Sequence, residues 1–179
     1  WQASASMARG LLHRKGPHGG FRGYECQEVG TGCFMLAFTS LPDALSFCCQ
    51  LQEALLAHPW PATLLKLPGF GEERDGLGRV LHRGPRLRCG VAYGRPSRVA
   101  PHPATGRADY WGTVVNLAAR AASAALPGQV LVALHERTGA GEVARLEREA
   151  YCAAVVPVGK YRFQGIKDRY RLCEAAPPR

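Results

Sequence analysis

The chain has 179 residues and a formal net charge of +9, and its length suits one domain with a single buried core. No apolar stretch approaches the ~20 residues that a membrane-spanning helix needs, and residues 1–6 lack the apolar segment of a secretory signal. The basic residues are scattered, many of them in arginine pairs, and no RNA-binding, zinc-finger or basic-heptad motif occurs. We therefore expect no nucleic-acid partner.

Seven cysteines, an odd number with no Cys-x-x-Cys spacing, predict free thiols in a reducing, intracellular compartment and no sulfur-ligated metal. The first residue is Trp1 rather than Met, so we expect a piece of a larger protein. Any membrane anchor would then belong to parts of the parent protein outside this chain, and we expect this chain to lie on the cytoplasmic side.

The first half of the chain predicts a helix, a hairpin and a second helix. Residues 3–12 are helical in pattern, and strands 24–29 and 33–39 flank a tight Gly-Thr-Gly turn. The second helix begins at the sequence Ser-Leu-Pro-Asp of residues 40–43, because Pro suits the first turn and Asp favours the positive helix end, and it extends to about Ala57. Residues 58–85 are rich in Pro, Gly and charge and predict a long surface insertion.

The second half mixes strands with two further helices. The predicted elements are a strand at 87–93, a Pro-rich arm or hairpin at 95–108, a helix at 113–125, a strand at 129–133, a helix at 141–150, strands at 155–158 and 160–163 that pair with each other, and a last strand at 170–173. This order predicts an α+β fold with partly antiparallel strands.

One run, residues 109–120 (Asp-Tyr-Trp-Gly-Thr-Val-Val-Asn-Leu-Ala-Ala-Arg), is the most informative. Gly112 lies where a strand must turn into a helix, and glycine adopts positive φ without strain. Asn116 and Arg120 are four residues apart, so they project from one helix face. An Arg fork beside an Asn amide makes a good anion clamp, although such a pair alone is more often a solvated face.

The whole run resembles the signature of the class III nucleotide cyclases, the catalytic domains of adenylate and guanylate cyclases. The matching positions are Asp109, Tyr110, Gly112, Val115, Asn116, Ala118, Ala119 and Arg120. Segments 88–94, 127–132, 161–166 and 170–172 resemble the family's neighbouring strands in order and spacing. The resemblance spans roughly residues 23–173.

The resemblance implies a ferredoxin-like sheet with helices on one face, dimeric in its working form. Residues 1–22 would be the N-terminal helix and loop of a truncated domain, 23–174 the homology domain with its insertion at 58–85, and 175–179 a tail. The family converts a nucleoside triphosphate to a cyclic nucleotide and pyrophosphate. Two divalent ions, Mg²⁺ or Mn²⁺, are held by two aspartates of one partner, and the other partner supplies the Asn/Arg pair.

By this resemblance Arg120 would stabilise charge on the α-phosphate and Asn116 would orient the ribose. Asp109 would accept a hydrogen bond from the adenine amino group, which favours ATP over GTP. The base-reading lysine of the family aligns with Gln27. The phosphate-binding lysine aligns with Gln164, and the nearby lysines Lys160 and Lys167 are candidate substitutes.

The chain departs from the family at its metal ligands. The first metal aspartate belongs to a strand upstream of residue 3, where this chain has none, and the second aligns with Thr31 or Gly32. Neither residue replaces a carboxylate, so we expect no metal ligands here and divalent ions held mainly by a partner half, in a homodimer or heterodimer.

Three functions remain open at this point. The chain could be the Asn/Arg-donating half of a cyclase that makes cyclic AMP, less readily cyclic GMP. It could instead be an inactive pseudo-cyclase that serves dimerisation or regulation, or an unrelated basic binding domain. We expect this fragment alone to have little or no activity.

Overall fold

A computed structural model describes residues 2–13, 15–16, 19–29, 32–103 and 105–178. The helices are α1 (Gln2–Leu12), α2 (Leu41–Ala57), α3 (Ala62–Leu65), α4 (Thr113–Ala124) and α5 (Ala140–Glu149). The strands are β1 (Lys15–Gly16), β2 (Gly19–Gly20), β3 (Gly23–Val29), β4 (Cys33–Phe38), β5 (Glu73–Arg74), β6 (Val80–His82), β7 (Cys89–Ala92), β8 (Arg98–Pro101), β9 (Ala108–Trp111), β10 (Val130–His135), β11 (Ala154–Tyr161) and β12 (Tyr170–Ala176). Within the described ranges, no helix is long and apolar enough to cross a membrane.

The predicted α+β class is confirmed, and the main sheet has the strand order β11-β12-β10-β7. Strand β10 is antiparallel to β12 and parallel to β7, while β12 is antiparallel to β11. Strands β3 and β4 form a separate antiparallel hairpin, as the sequence predicts. Helix α2 begins as predicted, because the Ser40 side chain accepts a hydrogen bond from the Asp43 backbone N–H at 3.2 Å and caps the helix.

The prediction that the helices lie on one face of the sheet is wrong, because they cover both faces. Val130, Val132 and Leu134 of β10 pack with apolar residues of α2 and α5. The alternate residues Leu131 and Ala133 pack with α4 on the opposite face. All five residues are buried, and such a continuous apolar run is typical of a strand that is covered on both sides.

The predicted pairing of strands 155–158 and 160–163 is also wrong. Residues Ala154–Tyr161 form the single strand β11, which pairs along its length with β12. A register shift between Pro157 and Gly159 marks a bulge at the point where the sequence suggested a break. Strand β12 extends past residue 173 to Ala176, and Ala175 is buried in the core.

The segment 58–85 is not only a surface insertion, because its first residues pack into the core. Trp60 is buried, and its indole Nε1 donates a hydrogen bond to the Leu55 carbonyl at 2.7 Å. Gly84 lies against the Trp60 ring so closely that a side chain there would overlap it. Between these two residues lie α3 and the exposed hairpin of β5 and β6.

Helix α4 rests directly on strand β7, and a glycine makes this contact possible. A Cβ atom at Gly90 would overlap the backbone carbonyl oxygen of Ala118 and the backbone nitrogen of Ala122. Because both are backbone atoms of a helix, they cannot move aside as a side chain can. The position of α4, and of every side chain on it, therefore depends on the absence of a side chain at Gly90.

We expect Gly90→Ala to lower the free energy of unfolding by about 3 kcal/mol, because the added methyl pushes α4 off β7. The matched control is Gly10→Ala in the exposed interior of α1, where a Cβ meets nothing within 4 Å. That change should raise stability by about 0.5–1 kcal/mol, since alanine favours a helix. Urea unfolding followed by circular dichroism measures both. Equal stability of Gly90→Ala and the unaltered chain would contradict the tight α4–β7 contact.

Candidate functional site

The signature run folds as a strand, a glycine turn and a helix. Strands β8 and β9 pair antiparallel, which confirms the hairpin expected near the Pro-rich arm. Gly112 follows β9 with φ of 128°, and its carbonyl accepts hydrogen bonds from the N–H groups of Val115 and Asn116 at 3.1 and 3.3 Å. A Cβ at Gly112 would lie 2.8 Å from the Ser97 nitrogen, so a side chain is excluded by both conformation and space.

Asn116 and Arg120 lie on the exposed side of α4, one turn apart. Leu117 and Ala121, on the adjoining face of the helix, are buried against the sheet. No described residue forms a hydrogen bond or an ion pair with the Arg120 guanidinium, although the chain has many such pairs elsewhere. The two side chains therefore stand on a rigid helix with their polar groups turned to solvent.

Asp109 differs from these two residues because it is buried in β9, with 7% of its surface exposed. Its Oδ1 accepts a hydrogen bond from the Tyr110 backbone N–H at 2.9 Å. The Tyr24 hydroxyl of β3 lies 2.9 Å from the Tyr110 hydroxyl and 3.1 Å from the Ala108 carbonyl oxygen. Burial, followed by the bond to Tyr110, raises the pKa of Tyr24 well above its usual value, so Tyr24 keeps its proton.

Gln27 lies on the strand beside which Asp109 packs. Burial, with a smaller contribution from the negative charge of Asp109, raises the pKa of the neighbouring Cys26 thiol to about 11. The Gln27 side-chain nitrogen lies 3.7 Å from the Met35 sulfur, to which it donates. The structure thus brings Asp109 to β3, while the Gln27 amide is held by the adjacent strand β4.

An ion-pair network fixes β9 relative to β3 and α1. The Glu25 carboxylate accepts two hydrogen bonds from Arg9 of α1, at 2.8 and 3.0 Å. Arg107, two residues before Asp109, donates to the Glu25 backbone carbonyl at 3.3 Å and lies 3.7 Å from its carboxylate. The bond from Arg9, together with the charges of both arginines, lowers the pKa of Glu25.

Gln164 and Lys167 lie exposed in the loop between β11 and β12. Ile166 is buried in one apolar cluster with Leu117 and Ala121 of α4. Gly165 between them has φ of 80°, a conformation that glycine adopts readily. The loop therefore packs against α4 through Ile166. It lies on the same side of the sheet as Asn116 and Arg120.

Lys160 stands apart from this loop because it has an anionic partner within the chain. Its Nζ lies 3.1 Å from the Glu136 carboxylate. The hydrogen bond from Lys160 lowers the pKa of Glu136, so this carboxylate stays charged at neutral pH.

The expected metal-ligand position carries no carboxylate. Thr31 lies outside the described residues, and Gly32 lies in the turn before β4 with φ of 98°. Among the residues whose positions are described, no three His, Cys, Asp or Glu side chains are grouped so that they could hold a metal ion. Divalent cations prefer oxygen ligands with full charge, so the described residues do not fit a two-metal site.

Sequence reasoning missed the residues that support this site. Tyr24 and Arg107 hold β9 against β3 through contacts that span 82 to 86 positions of the sequence, and Ile166 packs its loop against α4. No local pattern marks such long-range contacts. The only signal was the burial expected of a large apolar residue in a loop, as at Ile166.

We expect Glu25→Gln to lower the free energy of unfolding by about 1 kcal/mol at pH 7, because it weakens the bonds that join α1, β3 and the start of β9. Folding lowers the pKa of Glu25, so its contribution is complete above its unfolded pKa of about 4.3 and is lost as the pH falls through the folded value. The difference from the unaltered chain should therefore shrink in urea titrations below about pH 4. The control, Glu149→Gln in the exposed pair with Arg145, should change stability little. If the difference in the free energy of unfolding between Glu25→Gln and the unaltered chain did not change with pH, the role of the Glu25 charge would be contradicted.

Comparison with known proteins finds adenylate cyclases among the relatives of this chain, although no family model matches it. An adenylate cyclase of Mycosarcoma maydis is 41% identical over 109 residues, which are 61% of this chain and 4% of that protein. An adenylate cyclase of Schizosaccharomyces pombe is 36% identical over 110 residues, 62% of this chain and 5% of that protein. The chain thus spans about one twentieth of the length of these relatives.

Solved structures extend the likeness to nearly the whole chain. A structure of adenylate cyclases from Trypanosoma brucei in their monomeric state superposes with a TM-score of 0.74 and 23% identity, covering 97% of this chain and 77% of that one. The guanylyl cyclase Cya2 superposes with a TM-score of 0.56 and 17% identity, covering 98% and 80%. The resemblance that the signature run indicates is confirmed, and the chain has the fold of the class III nucleotide cyclase domains.

Proposed function

We propose that this chain is a nucleotide cyclase domain that donates Asn116 and Arg120 to a site shared with a second cyclase domain. The observation that carries the proposal is the strand–glycine–helix geometry of residues 109–120. It leaves the Arg120 guanidinium exposed and without a partner among the described residues, on a helix held rigidly by β7. The names of the fungal relatives support the same function.

The proposed reaction is attack of the ribose 3′-hydroxyl on the α-phosphate, with pyrophosphate as the leaving group. Negative charge grows on the phosphate oxygens in the transition state, so a fixed cation and fixed hydrogen-bond donors lower the barrier. Arg120 supplies two parallel donors and a full positive charge for those oxygens. Asn116, one turn earlier, offers an amide that can hold the ribose so that its hydroxyl lies in line.

We propose ATP as the preferred substrate, with GTP as the alternative. Asp109 can accept a hydrogen bond from the adenine amino group, and the tie between Tyr24 and the flanking residues Ala108 and Tyr110 supports a fixed position for it. Gln27 offers an amide on the adjacent strand, where it can donate or accept. Asp109 favours adenine, but Gln27 can hydrogen-bond either base. The two residues together therefore reject guanine less strongly than two adenine-specific residues would.

We propose that the triphosphate lies along the loop between β11 and β12. Lys167 is exposed there, and Gln164 adds a neutral donor on the same loop. Lys160 would first have to leave Glu136, so we rank it below Lys167 as a phosphate ligand.

We assign the divalent cations, Mg²⁺ or Mn²⁺, to carboxylates of the partner half, because the described residues of this chain do not fit such a site. The partner is a second cyclase domain, in a homodimer or a heterodimer. We place the reaction inside the cell, where nucleoside triphosphates are abundant, with any membrane anchor in other parts of the parent protein.

A regulatory pseudo-cyclase is the second candidate function. It is favoured by one specific observation, the absence of a carboxylate at Thr31 and Gly32 in the expected metal position. Such a domain would keep the fold and the dimer surface but would not turn over substrate.

The test is formation of cyclic AMP and cyclic GMP from ATP and GTP with Mn²⁺, using the parent protein beside this fragment. We expect cyclic AMP from the parent protein and almost none from the fragment. Arg120→Ala in the parent protein should lower kcat by roughly 100-fold or more, because it removes a contact made in the transition state. The control is Arg148→Ala, an exposed arginine on α5 that lies across the sheet from α4.

Each result separates the candidates. Unchanged turnover in Arg120→Ala would contradict the role of Arg120. If the parent protein forms no cyclic nucleotide while analytical ultracentrifugation shows an intact dimer, the pseudo-cyclase function is favoured. Strong activity of the fragment alone would contradict the need for a partner that brings the metal ligands.

A further inference from the structure

A cavity of about 500 Å³ lies between the end of α2, the segment that begins with β6, the turn before β10 and the residues that follow β12. Its volume is within the range of small-molecule sites in proteins. None of the residues to which we assign nucleotide binding lines it. The cavity is therefore separate from the proposed cyclase site.

Much of the cavity lining is apolar. Leu55 and Leu56 contribute from α2, and Leu81 and Pro85 contribute from β6 and the residues after it. Leu55 is fully buried, whereas Leu56, Leu81 and Pro85 are half-buried. Because these half-buried side chains still contact water, a hydrocarbon group that fills the cavity would gain free energy by covering them.

The elements around the cavity are held together by contacts within the chain. The Gln52 side-chain N–H of α2 donates to the Leu87 carbonyl at 2.8 Å, and the Gly128 backbone N–H donates to the same carbonyl at 2.9 Å. The His82 ring of β6 lies so close to Gly128 that a Cβ atom there would be 2.7 Å from the ring. Gln52, His82 and Gly128 all line the cavity, so it is preformed, which lowers the entropy cost of binding.

The charged groups of the lining are mostly cationic. Three arginines line the cavity, and each is paired with a carboxylate of residues 72–75 that does not line it: Arg79 with Asp75, Arg83 with Glu72, and Arg86 with Glu73. Among the described residues, Glu53 is the one carboxylate in the lining. This excess of positive charge favours an anionic ligand.

Arg86 has a hydrogen-bond donor that the chain does not use. Its side chain is 18% exposed, and its Nη2 lies 2.6 Å from the Glu73 carboxylate. Its Nε is buried, and no described residue accepts a hydrogen bond from it. Buried donors without an acceptor are rare in folded proteins, so an acceptor from a ligand suits this position.

We propose that this cavity binds a small amphipathic anion, a carboxylate joined to a hydrocarbon body. The carboxylate binds at Arg86, whose planar guanidinium suits such a group, and the body lies against the apolar lining. A cavity of this size has room for a chain of about ten carbon atoms. The proposal is independent of nucleotide cyclisation and is tested without it.

The experiment is titration of sodium decanoate into the chain, followed by isothermal titration calorimetry. We expect saturable binding of one decanoate per chain. Decan-1-ol has the same hydrocarbon body without the charge, and we expect it to bind at least tenfold more weakly, because hydrogen bonds to an ionised group are the stronger ones.

Variants locate the ligand. Arg86→Gln should weaken decanoate binding about tenfold, because it removes the charged partner of the carboxylate. The matched control is Arg74→Gln on the same hairpin, which also has an ion pair, with Glu72 at 2.6 Å, but does not line the cavity, so binding should not change. Ala57→Phe places a ring at an exposed lining position and should also weaken binding about tenfold.

The outcomes decide the proposal. It is overturned if decanoate does not bind, if decan-1-ol binds equally well, or if Arg86→Gln and Ala57→Phe both leave decanoate binding unchanged. An effect of Arg74→Gln equal to that of Arg86→Gln would also overturn it, because binding would then depend on the general charge of the hairpin. Circular dichroism checks that the variants fold. If Arg86→Gln does not fold, Ala57→Phe and the comparison with decan-1-ol decide the question.

Discussion

The contact of α4 with the backbone of β7 at Gly90 is the constraint on which the rest of the site depends. Because no side chain separates helix from strand, the helix has one position relative to the sheet. The sheet is itself stiff, since β10 beside β7 is covered by helices on both faces. Arg120 and Asn116 are therefore presented by a helix whose place on the sheet is set by close backbone packing, and fixed groups of this kind suit the stabilisation of a short-lived charged state.

The two parts of the site are built in different ways. Asp109 is buried and is held through its neighbours by Tyr24 and Arg107, so its position within this chain is fixed. Asn116 and Arg120 are exposed, and their polar groups bind nothing that the chain itself supplies among its described residues. A site with one half preformed and the other half open to solvent is suited to completion by a second domain.

Local sequence patterns predicted the helices and strands around the site well, but they did not predict contacts between residues that are distant in the sequence. The start of α2 at residues 40–43, the hairpin of β3 and β4 and the glycine turn at Gly112 are features of a few consecutive residues, and the structure has each of them. Gly159 suggested a break between two strands because glycine often ends a strand, but pairing with β12 carries β11 across it as a bulge. The hydrophilic composition of segment 58–85 predicted a surface position for all of it, although Trp60 is buried. The burial of Trp60 depends on its contact with Gly84, which is distant in the sequence.

The packing of Gly84 on Trp60 affects how much the length of segment 58–85 can vary. The two ends of the insertion meet at that contact. The contact therefore holds the end of α2 near the segment that leads into β7, whatever the length of the chain between them. The entropy cost of closing a loop grows only with the logarithm of its length. The exposed turn of the β5–β6 hairpin, residues 76–78, can therefore be lengthened or carry an inserted module at little cost to the domain, which makes it a natural place for a reporter or a sensor to be inserted.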